Sequence, residues 1–334
     1  MRNRLLHHAV ARMSFLKTAE KLLVAEVVDT ERFFSSLSLN DLAGIVGRKV
    51  TTSLWDAPRI LRRAELDLSY IDRNGIGTLM IWSPLYPPQL REIYDPPFLL
   101  FVRGTLPSWD KPVVSIVGTR KPSEAGLRGA YGLAKEFAAH GVPVVSGLAR
   151  GIDAAAHRGC VDGGGMTVAV FGAGIDTICP GSHVRLAERV LTSGGAFVGE
   201  LPPGTPPSRF TFPQRNRIIT GLARGTVIVE APARSGALIS ADYAMDQGRD
   251  VFVHRAGLDP ERSPGAAALV EDGAYTVDGA GDVLAEWGIG RPASNELGEA
   301  NDSPAGRPDP RTAADEAQAG SRAAALVRKE LGLS

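Results

Sequence analysis

The chain has 334 residues, 44% of them hydrophobic and 22% charged, with 37 basic side chains against 37 acidic ones. This is the composition of a globular protein of one to three domains, and its zero net charge leaves no global field to draw in nucleic acid or an anionic membrane, so such a partner must be recognised by local clusters. Two cysteines, Cys160 and Cys179, are too few for a disulfide framework and lack metal-ligand spacing, and the six histidines form no metal motif. No apolar run reaches the ~20 residues that span a bilayer, and the basic start lacks a signal-peptide core; the expectation is a cytoplasmic protein with no metal, no cofactor and no membrane partner.

In chain order, residues 1–75 read as a helical module. "RLLHHAVARM" and "AEKLLVAEVV" carry apolar residues three and four apart. "LNDLAGIVGRKV" places Asn40 as an N-cap before a short hairpin, either a nucleic-acid backbone contact or a packing unit. Over residues 76–110, "GTLMIW" and "PFLLFVRG" predict strands, joined by "SPLYPPQLREIYDPP", whose five prolines predict an extended connection and not a helix.

From residue 111 to 288 six short runs rich in Val and Ile ("PVVSIVG", "VPVVSG", "TVAVFG", "GAFVGE", "TVIVEA", "DVFVHR") alternate with helical patterns. Runs of this kind are strands buried on both faces, and the alternation predicts a doubly wound α/β domain. In the clearest helix Ser123 is the expected N-cap and Gly141 the C-cap, with Leu127, Tyr131, Ala134 and Ala138 on one face. Residues 289–334 lack aromatics and nearly all large apolar residues, which predicts a disordered tail with a terminal helix in "SRAAALVRKELGLS".

Ligands of an open α/β sheet bind beyond the carboxyl ends of its strands, so those ends are the candidate site. The first is Gly118-Thr119-Arg120-Lys121, a turn into a helix start whose amides favour anions, with a guanidinium suited to phosphate. It is neither a dinucleotide fingerprint nor a P-loop. The second, Ser146-Gly147-Leu148-Ala149-Arg150-Gly151, leads to Asp153 and His157, four residues apart and so able to pair. A third end carries Gly172 and Gly174; the fourth and sixth carry Glu200 and Glu230, with no local sign that these two act as an acid/base pair.

The segment from Leu201 to Gly225 holds Arg209, Arg215, Arg217 and Arg224 without one carboxylate. Guanidinium groups bind phosphates, and the interleaved Phe210 and Phe212 offer faces on which bases stack; Asn216 and Arg217 have the alternative role of tying the loop to the sheet. Ser235-Gly236 opens one more helix and is an expected anion contact. Several Gly/Arg/Ser turns in a row suit a polynucleotide backbone better than one nucleotide pocket. No nucleophile elbow, Walker lysine or Mg²⁺ carboxylate cluster is legible.

Taken together, "YPPQLREIYDPPFLLFVRG", "SIVGTRKPS", "VVSGLARGIDAAAH", "FGAGIDTICP", "FPQRNRIITGLARGTVIVEA", "SGALISA" and "QGRDVFV" resemble, in order, the DprA/Smf family of DNA-processing proteins. The resemblance implies an extended Rossmann-like domain behind a sterile-alpha-motif-like helical module. It also implies single-stranded DNA binding, homodimerisation and delivery of strands to the recombinase RecA in natural transformation, with no enzymatic turnover. It assigns Arg120 to the DNA pocket and Ser146, Gly147, Arg150, Arg215, Asn216 and Arg217 to phosphate contacts. The polar tail does not suit the small winged-helix domain that ends many members. An alternative is a nucleoside-monophosphate phosphoribohydrolase-like enzyme on a related fold, but its Pro-Gly-Gly-x-Gly-Thr-x-x-Glu signature is missing; a scaffold for protein partners alone leaves the arginine clustering unexplained.

Overall fold

A strand with both faces buried must satisfy its backbone in a ladder, and the Val/Ile runs do so in one mostly parallel sheet. The computed structural model describes residues 4–289. Among them β1 (Gly77–Met80) and β2 (Leu99–Gly104) precede β3 (Val114–Gly118), β4 (Val144–Ser146), β5 (Thr167–Phe171), β6 (Ala196–Gly199), β7 (Gly225–Val229), β8 (Asp250–His254) and β9 (Tyr275–Val277). The spatial order is β1-β2-β6-β5-β4-β3-β7-β8-β9. β1 and β2 run antiparallel to their neighbours and the rest are parallel. Strands β4 to β6 extend the sheet to one side of β3 and β7 to β9 to the other, so the topological switch point lies between β3 and β7.

Five helices lead into the sheet: α1 (Arg4–Ala11), α2 (Thr18–Val27), α3 (Glu31–Ser36), α4 (Leu39–Val46) and α5 (Ala57–Arg73). Their fully buried Phe34, Leu42 and Ile71, with Met13 in the connection between α1 and α2, belong to the same apolar cluster as Phe98 and Phe101 beside and in β2. Ser38, not Asn40, caps α4: its hydroxyl accepts the Asp41 amide (3.2 Å) while the Asp41 carboxylate accepts the Ser38 amide (2.8 Å). That reciprocal pair outcompetes a lone Asn at the second helical position. The proline-rich connection contains a single helical turn, α6 (Pro88–Arg91), because proline at the first helical position gives up an amide that would have no partner anyway.

The crossover helices are α7 (Glu124–Ala139), α8 (Ile152–Asp162), α9 (Val184–Thr192), α10 (Thr211–Gly221), α11 (Gly236–Asp246) and α12 (Pro264–Glu271). Right-handed connections send the helices after β3–β5 and those after β6–β8 to opposite faces, and α7 packs on α8 and α10 on α11 accordingly. Ser123 does cap α7, accepting the Gly126 amide at 3.0 Å. The buried face of α7, however, is Ala130, Leu133, Ala134, Phe137 and Ala138; Leu127 is exposed and Tyr131 half-exposed. The Tyr131 hydroxyl instead donates to Asp162 (3.0 Å). Residues up to Ala280 form one compact unit. From Gly281 a second begins, whose described part completes α13 (Ala280–Glu286) and closes with the Ile289 amide on the Leu284 carbonyl (2.8 Å). The expected polar tail and terminal helix lie outside the described residues.

Candidate nucleic-acid interface

At the switch point Gly118 lies beside Val229. A Cβ on Gly118 would stand 2.0 Å from the Val229 carbonyl oxygen and 2.6 Å from the Ile152 side chain, so this exit from β3 requires glycine. The turn that follows is tied inward. The Thr119 amide donates to the Glu230 carbonyl (2.9 Å), the Thr119 carbonyl accepts the Ile152 amide (3.2 Å), and the Lys121 amide donates to the Thr119 hydroxyl (3.2 Å).

The expected anion site at the start of α7 is filled from within. Glu230, in the left-handed region at φ +61°, turns a buried carboxylate onto the Ser123 amide (2.9 and 3.0 Å) and accepts the Ser123 hydroxyl (2.9 Å). Arg262 stands 3.8 Å away. A carboxylate here answers the helix dipole as a phosphate would. What the turn presents outward is therefore side chain: Arg120 and Lys121 are both exposed. The Arg120 guanidinium lies 5.5 Å from the centre of the Phe212 ring, and Phe212 seats against Gly172, where a Cβ would stand 2.8 Å from the ring.

The second turn repeats the device. Asp153 is buried in the first turn of α8 and accepts the amides of Ala149 (3.3 Å) and Gly147. Burial pushes its carboxyl up, against the pull of the Arg215 guanidinium. Arg215 is itself buried; its Nη1 donates to the Val170 carbonyl (2.8 Å), and desolvation lowers its pKa to about 10. Gly147 makes room for it, since a Cβ there would stand 1.7 Å from Nη1. Gly151, at φ +81°, meets the Thr119 carbonyl so closely that a Cβ would come within 2.4 Å. Arg150 points out of this turn and is exposed.

Several of the expected phosphate contacts are engaged by partners inside the protein. Ser146 is buried and donates to the Ile116 carbonyl (2.7 Å). Arg215 faces inward because a buried Asp153 and a strand carbonyl claim it. Arg217 Nη2 grips both oxygens of Glu200 (2.9 and 2.8 Å), and Asn216 donates to the Gly236 carbonyl (3.1 Å), so these two tie α10 to the end of β6 and to α11. Asp153 and His157 do not pair. The Thr167 hydroxyl spends its proton on the Val144 carbonyl (2.8 Å), so His157 Nδ1–H must donate to Thr167 (2.8 Å). Burial holds His157 neutral, its pKa lowered to about 3. Ser235 precedes α11 without a side-chain cap bond, and Gly236 is exposed.

The structure adds to the rim two exposed guanidinium groups that the sequence motifs do not assign as contacts. Arg209 lies 4.7 Å from the centre of the Phe210 ring, itself 66% exposed. Arg234 holds a left-handed conformation, φ +57°, just beyond β7. The acid-free composition signals the first of these; nothing local distinguishes the second. Exposed guanidinium groups beside aromatic faces suit a chain of phosphates and bases. Among the described residues no group of three or more His, Cys, Asp or Glu is placed to hold a metal ion, and no helix is long and apolar enough to cross a membrane.

An open doubly wound sheet whose switch-point amides are bound by its own carboxylates, with arginines left outside, defines a Rossmann-like protein with a cationic rim in place of a dinucleotide pocket. The chain belongs to the family described as DNA recombination-mediator protein A, which matches residues 77–288. It is 36% identical to protein Smf of Escherichia coli (strain K12) over 283 residues, 77% of this chain and 75% of that one. It superposes on the X-ray structure of DNA processing protein A from Streptococcus pneumoniae with a TM-score of 0.69 and 33% identity, over 85% of this chain and 98% of that one. A Helicobacter pylori DNA processing protein A, whose structure is described for its single-stranded DNA binding mode, matches with a TM-score of 0.58 and 25% identity over 65% of this chain and 97% of that one.

Proposed function

We propose that this protein is a non-catalytic mediator that binds single-stranded DNA on the switch-point rim, shields incoming strands and delivers them to the RecA recombinase, working as a homodimer in the cytoplasm. The observation that carries the reading is Arg120: exposed, at the switch point, its guanidinium set over Phe212. Lys121, Arg150, Arg209 and Phe210 extend the cationic and aromatic surface. Gly118, Thr119, Gly147 and Gly151 shape the turns that hold it, and the single-strand binding described for the Helicobacter pylori relative points the same way. The enzymatic alternative needs a free carboxylate at the strand ends, and both Glu200 and Glu230 are engaged by protein donors.

The test is fluorescence anisotropy with labelled oligo-dT and a duplex of equal length at moderate salt. Wild-type protein is expected to prefer the single strand, with affinity falling steeply as salt rises. Arg120→Glu is expected to weaken binding by about tenfold or more, the scale of removing one charge-assisted hydrogen bond and setting a carboxylate against the phosphates, with an unchanged circular dichroism spectrum. Equal affinity for duplex and single strand, or wild-type affinity in Arg120→Glu, refutes the reading. Faster RecA filament growth on oligo-dT covered by single-strand-binding protein tests delivery.

A further inference from the structure

A second groove, of about 750 Å³, lies between the helical module and the loop after β6. Its module wall carries Leu54, Trp55, Arg59, Arg63 and Tyr70, and its opposite wall is the Pro203–Pro206 loop with Asp176. Arg59 and Arg63 are exposed one turn apart on α5, and among the described residues neither forms an ion pair.

Each of the groove's three carboxylates, Asp56, Asp67 and Asp176, accepts at least one hydrogen bond from the protein. Asp67 takes two hydrogen bonds from Arg12 (2.5 and 2.6 Å), Asp56 caps α5 through the Arg59 amide (3.0 Å), and Asp176 accepts the Gly204 amide with both oxygens (3.0 Å each). Trp55 is fixed edge-on to Phe15 and Phe34, its indole N–H donating to the Leu37 carbonyl (3.0 Å), while Leu54 is 62% exposed. Unpaired guanidinium groups beside a fixed indole, a half-exposed Tyr70 and an exposed leucine match the chemistry that tracks a single-stranded nucleic acid. The wall loop also runs, three residues beyond Pro206, into Arg209 and Phe210 of the rim.

From this we infer that the groove is a second binding segment for the same strand: Arg59 and Arg63 hold successive phosphates, and bases rest on Trp55, Tyr70 and Leu54. The inference rests on the single-strand reading of the rim and lengthens its footprint onto the helical module.

The experiment measures oligo-dT of about 6 and about 25 nucleotides, the short one within the site of a single nucleic-acid-binding domain, against the full chain and its Arg59→Glu/Arg63→Glu variant. The variant is expected to weaken the long oligonucleotide about tenfold and to lower its log–log salt slope by about 1.4, two phosphate contacts at ~0.7 each, leaving the short one unchanged. Arg120→Glu weakens both lengths. Should the charge reversal unfold the module, Arg59→Gln/Arg63→Gln is used, and wild-type protein is photo-crosslinked to oligo-dT containing 5-iododeoxyuridine, with adducts expected on Trp55 or Tyr70. A long oligonucleotide bound with wild-type affinity and slope, an equal loss at both lengths, or adducts confined to the rim overturns the inference. Failure of Arg120→Glu to weaken either length overturns the rim reading itself.

Discussion

Gly147→Ala tests how the β4–α8 turn is held. The added Cβ would stand 1.7 Å from Arg215 Nη1, 2.4 Å from Cζ and 2.5 Å from Nη2. Arg215 has no easy retreat: it is buried and anchored on the Val170 carbonyl at 2.8 Å. If it is displaced, the buried Asp153 loses its counter-charge, which costs about 3–5 kcal/mol; if it stays, the turn must move and loses the Asp153 bonds to its amides. Arg215→Met removes the clash and the counter-charge together, at a similar expected cost of about 3–5 kcal/mol. The two changes attack one arrangement, so the double variant is expected to be about as unstable as Arg215→Met alone. In urea unfolding followed by circular dichroism, this appears as a coupling of about 2 kcal/mol or more, within the range for contacting residues. Losses that add to within about 0.5 kcal/mol, as for independent sites, refute the proposed contact.

Acid should destabilise the fold through its buried histidines. His157 and His8 are neutral in the folded chain, each lowered to about 3 from an ordinary 6.5. The stability linked to each is complete above pH 6.5 and drains as pH falls towards 3, because the unfolded chain takes up the proton first. Near pH 5, before most carboxylates titrate, each contributes a slope approaching about 1.4 kcal/mol per pH unit; His157→Asn should remove one such share, and an unchanged slope between pH 6 and 5 would contradict a neutral buried ring. Ser123→Ala should cost about 1–2 kcal/mol in urea unfolding, the range for a lost N-cap, since it removes the bond to the Gly126 amide and one donor to Glu230; a loss below about 0.3 kcal/mol would be too small for a cap.

The sheet is legible in the chain because Val and Ile recur in short runs that only a two-sided burial explains. β9 escapes notice for the complementary reason: it is three residues long and starts at an exposed Tyr275. The turn from Gly118 to Arg120 is legible as a place, but its chemistry is not. Arg120 and Arg215 look alike along the chain. One lies outside over Phe212 and the other is sealed against Asp153, a residue on another helix, and tertiary placement alone separates them. The same holds for Arg217, whose partner Glu200 ends a different element. Two glycines with no φ requirement of their own, Gly118 and Gly147, mark these close approaches, and each makes sense only once the group pressed against it is known.

Glu230 gives the switch point an occupant covalently attached to the protein. A free mononucleotide seeking the amino end of α7 would compete with a carboxylate that never diffuses away and is held at high effective concentration by its own backbone. Cellular nucleotides are therefore poor rivals for this crevice. On the proposed single-strand reading, a strand that meets several arginines at once has no need of that filled place, and a polymer would be told from its monomers without the reading of a single base.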